Sequence, residues 1–253
     1  MNIVLNDVTV TFQGSKTPAL FNVSVTFQQG ESVGILGSSG AGKSTLIRSI
    51  NKLVKPTSGS LLWDRIDVTT ASDDALREVR TKTGMIFQQF NLVPRLSVMT
   101  NVLLGTIGSR PAWQSAIGFF SAEEKERATR TLDKVGLAEF AKQRVERLSG
   151  GQQQRVAIAR MMMQQPRVIL GDEPVSSLDP VISRNILEII KTLHEENGLI
   201  TIMNLHDVEL AKNYANRIIG LRKGEIVFDG PPEKVTPEVQ SMIYAIPYGE
   251  PAI

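Results

Sequence analysis

The chain has no cysteine, which excludes a disulfide framework and any thiolate metal site and is compatible with a reducing compartment. It also lacks a surplus of one charge sign. With 28 basic and 26 acidic residues the net charge is +2, so no strong field recruits nucleic acid or an anionic membrane. No apolar run approaches the ~20 residues that a membrane span needs. The start, Met1-Asn2-Ile3-Val4-Leu5, shows no basic region followed by an apolar stretch, so no signal peptide is expected and a cytoplasmic protein is. Low-complexity segments and fixed-period repeats are missing too. The 253 residues suffice for one large α/β domain or two small ones.

What is present centres on Gly37-Ser38-Ser39-Gly40-Ala41-Gly42-Lys43-Ser44, which fits G-x-x-x-x-G-K-[ST]. Ser32 to Leu36 before it has strand character. Leu46, Ile47, Ile50 and Leu53 after it are spaced like one buried face of a helix. The glycines let successive N–H groups point at phosphate oxygens, and the helix N-terminus adds its positive end. Lys43 is expected to reach the β- and γ-phosphates, and the Ser44 hydroxyl to hold Mg²⁺. Residues 37–44, with Thr45 following, are thus predicted to bind a nucleoside triphosphate.

Alternation predicts strands over residues 2–12 (Ile3, Leu5, Val8, Val10, Phe12) and 20–27 (Phe21, Val23, Val25, Phe27). Phe12, 25 residues before Gly37, is either a base-stacking aromatic or simply core. Strands are also expected at 61–63 and 84–87. From Asn91 to Phe120 the chain reads as irregular and aromatic, with Pro94, Pro111, Trp113, Phe119 and Phe120. Ser121, with Glu124 three residues on, then opens a helix through a capping box. About 90–155 reads as a mostly helical insertion.

Val168-Ile169-Leu170-Gly171-Asp172-Glu173-Pro174 is an apolar strand ending in two carboxylates, which need partners. Mg²⁺ beside Ser44 suits Asp172, acting through water. Glu173 is placed to orient or deprotonate an attacking water. Of the two histidines, His206 follows the strand 199–203, at the strand end where open parallel sheets bind ligands. It is expected to hydrogen-bond a γ-phosphate. His194 reads as a solvated residue beside Glu195 and Glu196. Residues 218–221 and 225–228 read as a hairpin, and the segment from Pro231 as a short tail.

Leu148-Ser149-Gly150-Gly151-Gln152 opens a second helix able to hold an anion. One ATP has one γ-phosphate, already assigned to Lys43. The second helix start is therefore expected to serve the ATP of another copy of the chain.

Taken together, the phosphate loop, Leu-Ser-Gly-Gly-Gln and Asp-Glu-Pro resemble the ATP-binding-cassette ATPases over nearly the whole chain. The resemblance implies an α/β P-loop NTPase (RecA-like) core with an antiparallel β subdomain and a helical subdomain bearing the signature. On that reading 1–89 and 156–230 are core, about 90–155 is helical, and 231–253 is a tail. It places Phe12 at the adenine-stacking aromatic, and Gln88 at the glutamine that links ATP and metal to the transport pore. Ser177-Leu178-Asp179 falls at the D-loop, which adds Asp179 to the nucleotide contacts, and His206 falls at the switch histidine. Ser149, Gly150, Gly151 and Gln152 become contacts to a partner's nucleotide. Gly171 stands where alanine is more usual. The single cassette resembles the separate ATPase subunit of bacterial importers, at the cytoplasmic face of the cell membrane. The implied partners are a second copy, two membrane permease subunits and, indirectly, a periplasmic binding protein. Residues 105–120 and 218–232 resemble segments of phosphonate importers, pointing to phosphonate or phosphite as cargo; phosphate, methionine and polar amino acids remain open. A soluble cassette for DNA repair or ribosomes would show paired cassettes, long coiled coils or zinc-binding cysteines. A guanine-specific reading of Asn51-Lys52-Leu53-Val54 lacks the aspartate it needs.

Overall fold

The computed structural model describes residues 1–110, 120–176 and 178–244. Asn2–Val10 (β1) and Leu20–Gln28 (β2) form an antiparallel pair. Ser32–Leu36 (β3), buried at every position, leaves that sheet and runs into the glycine loop and the helix Lys43–Ile50 (α1). Ser58–Trp63 (β4) returns to the free edge of β1, and Ile66–Asp67 (β5) extends it, giving the order β2-β1-β4-β5. Trp63, buried, donates its indole N–H to the Ile50 carbonyl at 3.0 Å. That bond satisfies a carbonyl at the α1 C-terminus and fastens this sheet to the helix.

Asp73–Thr81 (α2) precedes Thr83–Phe87 (β6). Val168–Asp172 (β7), Ile200–Asn204 (β8), Arg217–Arg222 (β9) and Glu225–Gly230 (β10) complete a second sheet of order β10-β9-β3-β8-β7-β6. It is parallel except for the β9–β10 hairpin. Its strands feed both faces, as their continuous apolar character requires. Ile35, Leu170, Ile202 and Ile219 join α1 and the antiparallel sheet in one core, while Leu36, Ile169, Met203 and Ile218 point into the other. Leu46, Ile47 and Ile50 are fully buried; each such side chain contributes about 1.5–3 kcal/mol.

The second core is built by Val98–Leu103 (α3), Ala122–Lys134 (α4), Gly150–Met162 (α5), Pro180–Asn197 (α6), Val208–Tyr214 (α7) and Pro237–Tyr244 (α8). The capping box at Ser121 and Glu124 is formed, with Arg110 on the Glu124 carboxylate at 2.8 Å and over the Phe120 ring at 4.8 Å. The expected helical boundary near 155 falls inside α5, which continues to Met162.

Several expectations change. The alternation that grouped Phe21 with Val23, Val25 and Phe27 fails because Asp7 and Asn22 adopt left-handed backbone where the β1–β2 register shifts. Phe21 therefore faces solvent at 45% exposure. Leu53 is also exposed: α1 ends at Ile50, and left-handed Lys52 turns the chain before the next helical turn. The stretch read as irregular from Asn91 contains α3, capped by Ser97, and a 3-10 turn over Leu104–Ser109. His194 is half-buried rather than solvated, its Nδ1 3.1 Å from the Thr201 hydroxyl, because the end of α6 packs onto β8. The segment from Pro231 is not merely a tail. α8 lays fully buried Ile243 against Gly220 of β9, and Met242 O accepts from Arg222 at 3.1 Å. Trp113 and Phe119 lie outside the described residues.

Candidate active site

The glycine loop leaves the C-terminal end of β3, the end at which open α/β sheets bind ligands. Gly37 and Gly42 both have positive φ, 154° and 105°, and a side chain on either would collide with backbone. On Gly37 it would meet the Leu221 carbonyl of β9, and on Gly42 the Ala19 carbonyl just before β2. Only glycine permits both the turn and the close approach. Ser38, Ser39 and Gly40 are exposed at the rim, whereas Gly37 and Ala41 are buried. Ser44 and Thr45 occupy the first turn of α1, which has no side-chain cap. Its first N–H groups are therefore open to an anion.

Lys43 is buried and donates to the carbonyls of Gly37 at 2.7 Å and Ser38 at 3.0 Å. The ammonium thus bonds the loop it is expected to share with phosphates. Burial lowers its pKa, opposed by the charges of Glu173 and Asp172, so both carboxylates lie within electrostatic reach of it. The structure thereby brings together the loop and the end of β7, as the sequence reading required.

Asp172 is almost fully buried at the end of β7. Arg48 binds its Oδ2 through Nε at 2.8 Å and Nη2 at 2.7 Å. Asn204, at the end of β8, donates to its Oδ1 at 2.9 Å. The Oδ1 of Asn204 is buried without a partner. Glu173 takes left-handed backbone, φ 55°, which costs a non-glycine residue about 1–3 kcal/mol and is held by its surroundings. That turn aims its carboxylate at His206, whose Nε2 stands 2.8 Å from Glu173 Oε1. Beside the pair, Val175, Ser183, Asn204 and Leu210 help line a cavity of about 230 Å³.

Phe12 follows β1 and is 49% exposed, in the connection that leads to Ala19 against Gly42. Gln88 is exposed just past β6. Ser149 caps α5: its hydroxyl accepts from the Gln152 N–H at 3.3 Å, and Gln152 Oε1 accepts from the Ser149 N–H at 2.9 Å. Ser149 and Gly150 are exposed, while a side chain on Gly151 would collide with Ile182. Among the described residues, no hydrogen bond joins Ser149–Gln152 to the phosphate loop of the same chain. Asp179 caps α6, accepting from Val181 and Ile182 N–H at 3.0 Å each. Ser177 lies outside the described residues.

The sequence reading missed four polar residues that hold these parts in place. Arg48 and Asn204 clamp Asp172. Gln154 of α5 donates to the Pro174 carbonyl, next to Glu173. Arg160, further along α5, donates to the carbonyls of Phe90 and Asn91, just after Gln88. An i,i+4 spacing from Ser44 marks Arg48, and an amide ending an apolar strand marks Asn204. No sequence pattern marks Gln154 or Arg160 among the other polar residues of α5.

The sequence pattern of the ABC transporter family matches residues 20–176. Phosphonates import ATP-binding protein PhnC 2 of Synechococcus sp. is 50% identical over 226 residues, covering 89% of this chain and 84% of the relative. The PhnC protein of Shouchella clausii is 46% identical over 248 residues, covering 98% and 93%. Among solved structures, the ATP-binding cassette MJ0796, a dimer bound to ADP and Pi, superposes with a TM-score of 0.81 at 38% identity, covering 91% of this chain and 98% of that one. CbiO1 of Clostridium perfringens, part of the transporter complex cbiONQ, gives 0.80 at 26% identity, covering 92% and 89%. With the phosphate loop, the paired carboxylates and the capped signature helix in one α/β frame, this chain belongs to the ABC transporter family.

Proposed function

We propose that the chain is the ATP-hydrolysing subunit of an importer for phosphonates or a related phosphorus oxyanion such as phosphite. The observation that carries hydrolysis is the Glu173–His206 contact at the end of β7, facing the glycine loop through Lys43. Lys43, Ser38, Ser39, Gly40, Ala41 and the first N–H groups of α1 bind the phosphates, and Phe12 stacks on the base. Glu173 takes the proton of the attacking water. His206 holds Glu173 and the γ-phosphate in register. Gln88 senses the filled site from the loop that Arg160 ties to α5.

The donors fit Mg²⁺, since they are hard oxygens: the Ser44 hydroxyl, the Asp172 carboxylate and the orphaned Oδ1 of Asn204 nearby. Ser44, Asp172 (through water) and Gln88 would hold the ion, which would supply positive charge at the phosphates. Ser149 to Gln152 and Asp179 serve the nucleotide of a second copy, consistent with the absence, among the described residues, of a hydrogen bond to their own loop. Two permease subunits contact the segment from Gln88 to Phe120, of which 111–119 lie outside the described residues, and the chain sits peripherally on the cytoplasmic face of the membrane. No described helix is long and apolar enough to cross one.

The cargo reading rests on relatives named phosphonates import ATP-binding proteins at 43–50% identity. To test it, the chain is reconstituted with the permeases encoded beside it, and ATPase activity is measured as the neighbouring binding protein is loaded with each candidate. Stimulation by a phosphonate or phosphite is expected. Stimulation by phosphate, methionine or a polar amino acid alone would replace the cargo and leave the ATPase intact.

A further inference from the structure

Arg48 is absent from every motif considered above, yet it makes the strongest polar contact to Asp172. Ser44 and Arg48 are one turn apart on α1, so both side chains lie on the helix face that meets β7. The Asp172 carboxylate has both oxygens engaged, Oδ2 by the Arg48 fork and Oδ1 by Asn204. A buried carboxylate requires such a countercharge, and a guanidinium fork supplies it with fixed geometry. Arg48 itself is about half exposed, and among the described residues the hydrogen bonds of its head group go to Asp172.

We propose that Arg48 is a positioning residue that stands in for the metal at Asp172 and sets how tightly the site takes a divalent cation. The inference rests on the Mg²⁺–ATP reading of the site. With Arg48 on Oδ2, Asp172 is neutralised before any metal arrives and is held to a water-mediated role. The guanidinium also repels the incoming cation. Removing its charge leaves Asp172 as an uncompensated anion at the end of β7. Divalent affinity then rises by about tenfold, the order expected for one charge lost a few ångströms beyond the carboxylate in a partly exposed site.

The test uses the full chain with a non-hydrolysable ATP analogue and Mn²⁺ as the probe, titrated by electron paramagnetic resonance. Nucleotide affinity is measured separately in EDTA with a fluorescent ATP. Arg48→Gln is expected to tighten Mn²⁺ about tenfold, with metal-free nucleotide affinity within about twofold of the parent. Arg48→Lys, which keeps the charge, is expected to stay near the parent. Unchanged or weakened Mn²⁺ binding in Arg48→Gln would overturn the proposal. Equal tightening by Arg48→Lys would overturn it as well, because charge is the stated cause. If the parent itself bound no nucleotide, the underlying site reading would fail instead.

Discussion

At the scale of single residues, Glu173 carries the most demanding backbone of the site, a left-handed carboxylate immediately after a buried strand. Glu173→Gln keeps the shape and the loop while removing the proton acceptor. ATP hydrolysis is expected to fall at least a hundredfold in a steady-state assay, with nucleotide affinity within about threefold of the parent. Lys43→Ala acts the other way, weakening nucleotide binding itself. Near-parental hydrolysis by Glu173→Gln would assign the base elsewhere. The residues of this chemistry were legible in the sequence because each sits at a fixed offset from a glycine turn or a strand end. Asn204 and Arg48 were not read: the i,i+4 offset of Arg48 from Ser44 and the strand-end place of Asn204 stand in the sequence, and Asp172 between the two is what gives them a role.

At the scale of elements, legibility follows period and caps. The Ser121 helix start was read correctly because a capping box is a four-residue pattern with its own geometry; the Ser149 start, read from its small polar and glycine residues, carries one as well. α3 was missed because six residues hold too few turns to display a period. Phe21 was misplaced because a bulge breaks the alternation without leaving a glycine to mark it. The Ser149 cap is made within its own chain, so Ser149→Ala is expected to lower stability by ~1 kcal/mol in denaturant titration of the nucleotide-free chain, and Ser149→Thr by less. No change would show that the hydroxyl acts only on a ligand. His194 gives a second test. Burial against β8 lowers its pKa below the ordinary 6.5, against the pull of Glu195 and a bond with Gly30. Its folded form therefore resists protonation, and its contribution is present above about pH 6.5 and lost as pH falls through the folded value. Melting temperature is expected to drop from pH 7.5 to 5.5, and less steeply in His194→Gln. Parallel pH profiles for the two proteins would remove His194 as the cause.

At the scale of the whole molecule, the candidate site residues fall into two groups that no hydrogen bond joins among the described residues. The glycine loop, Asp172, Glu173 and His206 gather at the ends of β3, β7 and β8, while Ser149 and Gly150 are exposed at the start of α5 and bond only locally. The sequence supplies a second helix start able to hold an anion, and among the described residues Ser149 to Gln152 make no hydrogen bond to the phosphate loop of their own chain. We propose that each ATP is enclosed by Lys43 of one copy and Ser149 of the other. It is tested most directly by hybrids of a Lys43→Ala chain with a Ser149→Arg chain, both carrying Glu173→Gln so that bound ATP is retained. One composite site then holds both lesions and the other none. The expected result is one tightly bound ATP per hybrid and none in either parent dimer. Hybrids that bind no more ATP than the parent dimers would show that the two residues act within one chain, and would contradict the account.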